Sequence, residues 1–246
     1  MSFWFERGRF RMSQSQSFER KAARRVFARE FNDGTYTFSD SNEDRAPTFQ
    51  LLPTGQRANR VYFCGTVTEV EDVGTDSEYW RARVVGPTGT VLVYAGQYEP
   101  DAMAKLRKLD TPAYVAVCGK VSAYTPDDED SENSVGDDTI VSIRPKDFFS
   151  VTDAEQRDQW VRETAKQTLD RIEQASSDNP DVAKATDQYN QEPAAYADMV
   201  VDALETLDGS DGDELDNSSS STSMSSSPTN SNSDESDADQ PTQTSN

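Results

Sequence analysis

From Arg60 to Thr152 the chain keeps the two-residue rhythm of β-strands, and one short helical segment interrupts it. "RVYFCGTVTEVEDV" reads as a long strand in which Gly65 permits a sharp bend. "EYWRARVV" sets Tyr79, Arg81 and Arg83 on one face and Trp80, Ala82 and Val84 on the other. A Gly-Pro-Thr-Gly turn at 86–89 leads into "TVLVYAG", a third strand. "PDAMAKLRKL" follows at 100–109, a short helix with proline in its first turn. "AYVAVCGKVSAYT", again with a central glycine at Gly119, and "TIVSIRPKDFFSVT" are the last two strands. The acidic stretch 126–138 between them is expected as a long polar loop.

Three strands, a helix, then two strands is the order of the OB-fold, a five-stranded Greek-key barrel. A sandwich of immunoglobulin type needs more strands and has no helix in that slot. The expected fold class is therefore mainly β: a five-stranded OB-fold barrel with flanking N- and C-terminal helices and a disordered acidic tail. "GPTGTVLV" is no phosphate loop, because it lacks the lysine that holds the phosphates and leads into a strand instead of a helix. The glycines serve the turn, which is expected to shape one wall of a groove.

Around the barrel, assigned to 60–152, the chain divides by pattern. Residues 1–17 read as a disordered or mis-annotated extension, since "MSFWFERGRFR" has no clear period and Met12 begins a natural start; a basic-aromatic arm is the competing view. In 18–59, Phe18, Ala22, Val26, Phe27 and Phe31 fall at helical spacing, with Lys21, Arg25 and Arg29 four apart beside them, and the remainder reads as irregular. That basic stripe faces either a phosphate backbone, an acidic partner or solvent. At 153–175, "DAEQRDQWVRETAKQTLDRIEQ" is an amphipathic helix with Asp153 as N-cap and Trp160, Val161, Ala165, Leu169 and Ile172 in one apolar stripe. The stripe exceeds what one small barrel needs to cover, so these residues are expected to pair with a partner's helix. Residues 176–208 read as a linker and a weaker helix from Ala194, and 209–246 as a Ser/Asp/Asn-rich disordered tail.

The charge excludes as much as it suggests. The net charge is −21, from 17 Arg and 7 Lys against 28 Asp and 17 Glu. Residues 1–65 nevertheless carry 11 bases and 7 acids, so the acidity lies in the rest of the chain. An Asp-rich, Lys-poor composition suits concentrated salt, where a Debye length of about 3 Å screens self-repulsion. The chain has no histidine, which removes histidine triads, histidine metal sites and imidazole bases together. Cys64 and Cys118 cannot supply the four ligands of a zinc ribbon and read as buried free thiols in apolar strands. The acidic runs "EVED" and "DDED" read as solvated surface, and no nucleophile is paired with a base. No enzyme, cofactor or metal is expected. No signal peptide or long apolar run is seen, so no membrane association and a cytoplasmic location are expected.

Six segments, "ERKAARRV", "RRVFAREFND", "LLPTGQRANRV", "GTVTEVEDVG", "GPTGTVLVYAGQY" and "PAYVAVCGK", together resemble the replication protein A-associated OB-fold proteins of halophilic archaea. The resemblance runs from about Ser17 to Ile172. It implies single-stranded DNA binding in replication and repair, beside a larger replication protein A OB-fold subunit in the same complex. Two features depart from the pattern. Gly86 stands where the turn usually has Asp, which loses a capping side chain, and the zinc finger common in the larger subunits has no ligands here.

Oligonucleotides cross the second and third strands of an OB-fold. Tyr79, Arg81 and Arg83 on strand two and Tyr94 on strand three are therefore the central candidates, with Tyr98 just past strand three. Tyr62 on strand one and Lys120 and Tyr124 on strand four extend the groove. Bases stack on tyrosines while arginines hold phosphates. Two other readings stay open: a protein-assembly module without DNA contact, and RNA binding through the same fold. Strand arginines also pair readily with neighbouring carboxylates.

Overall fold

The computed structural model describes residues 22–39, 46–125 and 139–208. The alternating runs become long strands: β5 (Arg60–Asp72), β6 (Trp80–Gly86), β7 (Gly89–Ala95), β8 (Ala113–Tyr124) and β9 (Ile140–Ser150). They are hydrogen-bonded in the order β5-β6-β7-β9-β8, and β8 pairs back onto β5 to close the barrel. The β7–β9 pair is parallel and the other four junctions are antiparallel. This is the OB-fold. The inward faces of the strands, among them Val61, Phe63, Val67, Ala82, Val84, Val91, Val93, Val115, Val117 and Ile143, form the core.

Closure requires β5 to serve two partners, β8 with residues 60–67 and β6 with residues 66–72. The strand bends where a Cβ on Gly65 would stand 2.5 Å from the Val85 carbonyl oxygen. Gly119 has the same role on β8: a Cβ there would strike the Arg144 carbonyl, beside the register shift at Cys118/Gly119. Both strand glycines mark close backbone approach. Helix α2 (Pro100–Leu106) lies between β7 and β8 and buries Ala102 and Leu106.

The N-terminal segment differs from a helix over 18–31. Its first four residues lie outside the described part, and the rest forms strand β1 (Arg24–Arg25), parallel to β5, then helix α1 (Ala28–Asp33). Tertiary pairing overrides the helical spacing here. Val26 and Phe27 are fully buried, and the Phe27 ring meets Trp160 edge-on at 5.8 Å. Arg25 and Arg29 therefore share no helix face, Arg25 being in β1 and Arg29 in α1, and Lys21 lies outside the described residues. Helix α1 docks on the hairpin turn, where Asn32 Nδ2 donates to the Thr90 carbonyl at 2.8 Å and the Arg29 amide to Thr88 Oγ1 at 3.2 Å. The Gly-Pro-Thr-Gly turn thus carries α1. A Cβ on Gly86 would lie 2.7 Å from the Phe63 ring, so an Asp in that place would crowd the core.

The segment expected as irregular contains a small antiparallel sheet of β2 (Thr37–Ser39), β3 (Thr48–Leu51) and β4 (Arg57–Ala58). The expected linker contains helix α4 (Pro180–Tyr189), capped by Asn179. It is fixed by the Arg57–Asp181 ion pair at 2.6 Å and by Tyr189 Oη donating to the Leu51 carbonyl at 2.6 Å. A 3-10 turn at Pro193–Tyr196 leads into α5 (Ala197–Asp208).

Helix α3 (Ala154–Glu173) starts where the Asp153 carboxylate accepts the Glu155 amide, as its N-cap pattern predicts. Its apolar stripe is covered from within the chain. Trp160, Val161 and Ala165 are each 2% exposed, with Trp160 edge-on to Phe63 at 5.5 Å and α5 packed alongside. These three are therefore core residues, which corrects their assignment to a partner's helix: α5, the 3-10 turn before it, Phe27 and β5 supply the cover. Ile172 is partly buried against the same core, and Leu169 remains 43% exposed. At the far end of α3, Arg171 Nη2 lies 2.6 Å from Glu30 Oε2, both buried, while Thr54 Oγ1 donates to Glu30 Oε1 at 2.6 Å. This network fastens α3 to α1 and to the turn at 52–56.

Candidate nucleic-acid interface

Strand register determines which outward side chains meet. Arg81 on β6 is the cross-strand partner of Tyr94 on β7. The parallel register that pairs Leu92 with Ser142 carries Tyr94 towards Arg144 on β9. Arg144 is the partner of Lys120 on β8, and Lys120 is the partner of Arg60 on β5. One transverse row thus runs Arg81, Tyr94, Arg144, Lys120, Arg60, four cations and a ring over a path of about 19 Å at ~4.8 Å per strand.

Tyr79 completes the row. Its ring stacks on Tyr94 with centroids 5.4 Å apart and planes at 19°, and the Arg144 guanidinium lies 5.1 Å from its centroid. Asp72 positions it, because its carboxylate accepts the backbone amides of Gly74 at 3.0 Å and Tyr79 at 2.9 Å, closing the β5–β6 turn. These bonds hold the Asp72 carboxyl below the ordinary carboxylate range. Burial pushes the Tyr79 phenol above its ordinary value, so the ring is neutral at any physiological pH.

The cations are not equally available. Arg81 pairs with Glu71, and Arg83, one row along, lies 3.5 Å from Glu69. Arg144 and Lys146 share the buried Glu99 carboxylate at 3.8 and 3.5 Å. Arg60 and Lys120 have no ion pair among the described residues. The "EVED" run is consequently engaged surface: two of its carboxylates neutralise groove arginines and the third holds the turn. "DDED" lies outside the described residues.

The remaining candidates scatter. Tyr62 sits under the Arg25 guanidinium at 4.9 Å, with its phenol pushed up to about 12, chiefly by burial. Tyr98 is 77% exposed before α2. Tyr124 is 57% exposed opposite Ile140, four residues along β8 from Lys120, about 13 Å from the row. Trp80 packs against the core, opposite Arg81. Cys64 is buried, its thiol pushed up to about 11 by burial, but Cys118 is only partly covered, since it faces outward on β8. Arg144, Lys146 and Arg60 were missed. Their signal was parity: in "TIVSIRPK" Val141 and Ile143 point inward, so Arg144 points outward, and Arg60 shares the face of Tyr62.

Among the described residues no group of three or more His, Cys, Asp or Glu is placed to hold a metal ion, and no helix is long and apolar enough to cross a membrane.

No protein-family model matches the chain, and no curated protein matches it. Among solved structures it is similar to the Stn1–Ten1 complex of S. pombe, at 12% identity over 50% of this chain and 79% of that one, with a TM-score of 0.39. It is similar to a replication protein A heterotrimer bound to single-stranded DNA, at 14% identity over 54% and 88%, with a TM-score of 0.36. It is also similar to Rim1, a mitochondrial single-stranded DNA binding protein of S. cerevisiae, at 18% identity over 38% and 92%, with a TM-score of 0.28. At such scores the assignment of the fold rests on the strand order itself.

Proposed function

We propose that this barrel binds single-stranded DNA across the row Arg81–Tyr94–Arg144–Lys120–Arg60, with bases stacking at Tyr79 and Tyr94. The observation that carries the reading is the concentration of outward cations around a stacked tyrosine pair on an otherwise strongly acidic chain. Aromatic platforms contribute about 1–3 kcal/mol per base and tolerate any sequence. Arg83 extends the site along β6, and Tyr98, Tyr62 and Tyr124 mark its margins. The finer reading follows the sequence resemblance: a cytoplasmic accessory subunit of a replication protein A complex in a halophilic archaeon, acting in replication and repair beside a larger OB-fold subunit, without enzymatic activity.

A second reading has its own support. Glu71 and Glu69 already occupy Arg81 and Arg83, as expected of an assembly module whose DNA contact belongs to its partner. Purified full chain with a labelled 30-mer oligothymidine separates the two. Direct binding predicts a mobility shift in high salt that Arg81→Ala with Arg83→Ala abolishes. No shift until the larger subunit is added, with the double variant behaving as wild type in the complex, supports the assembly module. Preferential competition by RNA redirects the site to RNA.

A further inference from the structure

The β5–β6 ladder changes phase inside the groove. Thr66 and Val67 pair with Val85 and Val84, and the register then shifts by one residue, so that Glu69 stands opposite Arg83 and Glu71 opposite Arg81. In the unshifted register Thr68 and Val70 would face the two arginines, and both glutamates would fall on the face of Ala82 and Trp80. A bulge of this kind re-aims side chains, and here it delivers one carboxylate to each arginine of β6. From just before α2, Glu99 does the same for β9. Its side chain is only 6% exposed, yet its carboxylate lies 3.8 Å from Arg144 and 3.5 Å from Lys146. Three carboxylates from two separate parts of the chain therefore stand against four groove cations.

Cancelling these charges weakens the hold on any polyanion, but the two forms of DNA respond unequally. A duplex keeps its base faces inside the stack and, where no sequence is read, is held essentially through its phosphates. A single strand also offers bare bases, which stack on Tyr79 and Tyr94 whatever the local charge. Neutralised arginines thus remove most of the attraction for a duplex and only part of that for a single strand. We infer that Glu69, Glu71 and Glu99 are specificity-determining residues, which exclude duplex DNA and other polyanions without exposed bases from the groove. The inference rests on the reading of this groove as a single-strand site and adds what that site rejects.

Anisotropy titrations of the full chain in low salt, with a labelled oligothymidine and a duplex of the same length, test it. Wild type is expected to hold the single strand at least tenfold more tightly than the duplex. Glu69→Gln, Glu71→Gln and Glu99→Gln combined should raise duplex affinity about tenfold and single-strand affinity less, and steepen the duplex salt slope by roughly 0.9 for each cation released. Glu69→Gln with Glu71→Gln alone, which alters no buried side chain, should move both in the same direction, with thermal melts to confirm folding. Asp170→Asn, Glu173→Gln and Glu205→Gln combined remove the same charge from exposed positions on α3 and α5, and should leave duplex binding weak. The inference is overturned if wild type holds both DNAs alike, if the groove variants gain no duplex binding, or if the outer triple variant gains as much. Each of those results leaves single-strand binding standing, whereas a wild type that binds no oligothymidine overturns the reading of the groove together with the inference.

Discussion

Asp72 shows how one side chain governs the groove without facing a ligand. Its carboxylate holds the amide that begins the Tyr79 ring position. Asp72→Ala is expected to weaken oligothymidine binding about tenfold, close to the loss of one stacking platform, while Asp72→Asn, which keeps the acceptor, restores most of it; anisotropy titrations distinguish the two. Because the folded Asp72 pKa is depressed, its contribution is complete above the ordinary Asp pKa and disappears as pH falls through the folded value, so acid melts of wild type and Asp72→Ala should converge only at the lowest pH. Glu30 and Arg171 pose the opposite case, a pair fully inside. Arg171→Met leaves the Glu30 carboxylate buried and unpaired, a loss of roughly 3–5 kcal/mol that chemical denaturation will register.

Among the elements, α3 is packed into the core through Trp160, Val161 and Ala165. Trp160 touches both Phe27 and Phe63, joining the N-terminal segment to the barrel. Trp160→Ala is expected to cost about 3–5 kcal/mol, seen as a lowered thermal midpoint, whereas Leu169→Ala on the exposed side should change the midpoint little. The barrel strands were legible because period, glycine position and the slot of α2 all agreed. The cap of α3 was legible too, through Asp153. What could not be read was what covers α3. Its stripe looks unpartnered in sequence because the cover comes from α5, more than 20 residues further on, through Met199, Val200, Ala203 and Leu207. Likewise Arg25 falls four residues before Arg29 on a helical period, yet pairing at the edge of β5 makes it part of a strand. Such tertiary pairings leave no local signature.

At the scale of the whole molecule, the basic row and the acidic chain act together. Most groove cations already hold a carboxylate, which must take up a counterion when a phosphate displaces it. Of the four row cations and Arg83, only Arg60 and Lys120 then contribute net ion release, so the slope of log K against log salt should be about −1.4, against about −3.5 if all five were unpaired on a single strand. Anisotropy across a salt series measures it, and the steeper slope would show that the Arg–Glu pairs do not persist in solution. The row itself was only half legible. Tyr79, Arg81 and Tyr94 follow from strand parity, but Arg144 and Arg60 enter through the order in which strands close the barrel. Whether DNA lies on this row is decided by photocrosslinking of an iododeoxyuridine-substituted oligothymidine to the full chain, with adducts located by mass spectrometry. Adducts are expected at Tyr79 and Tyr94. Adducts confined to distant rings such as Phe149 or Tyr36, or none at a concentration that shifts the oligonucleotide, would contradict that placement.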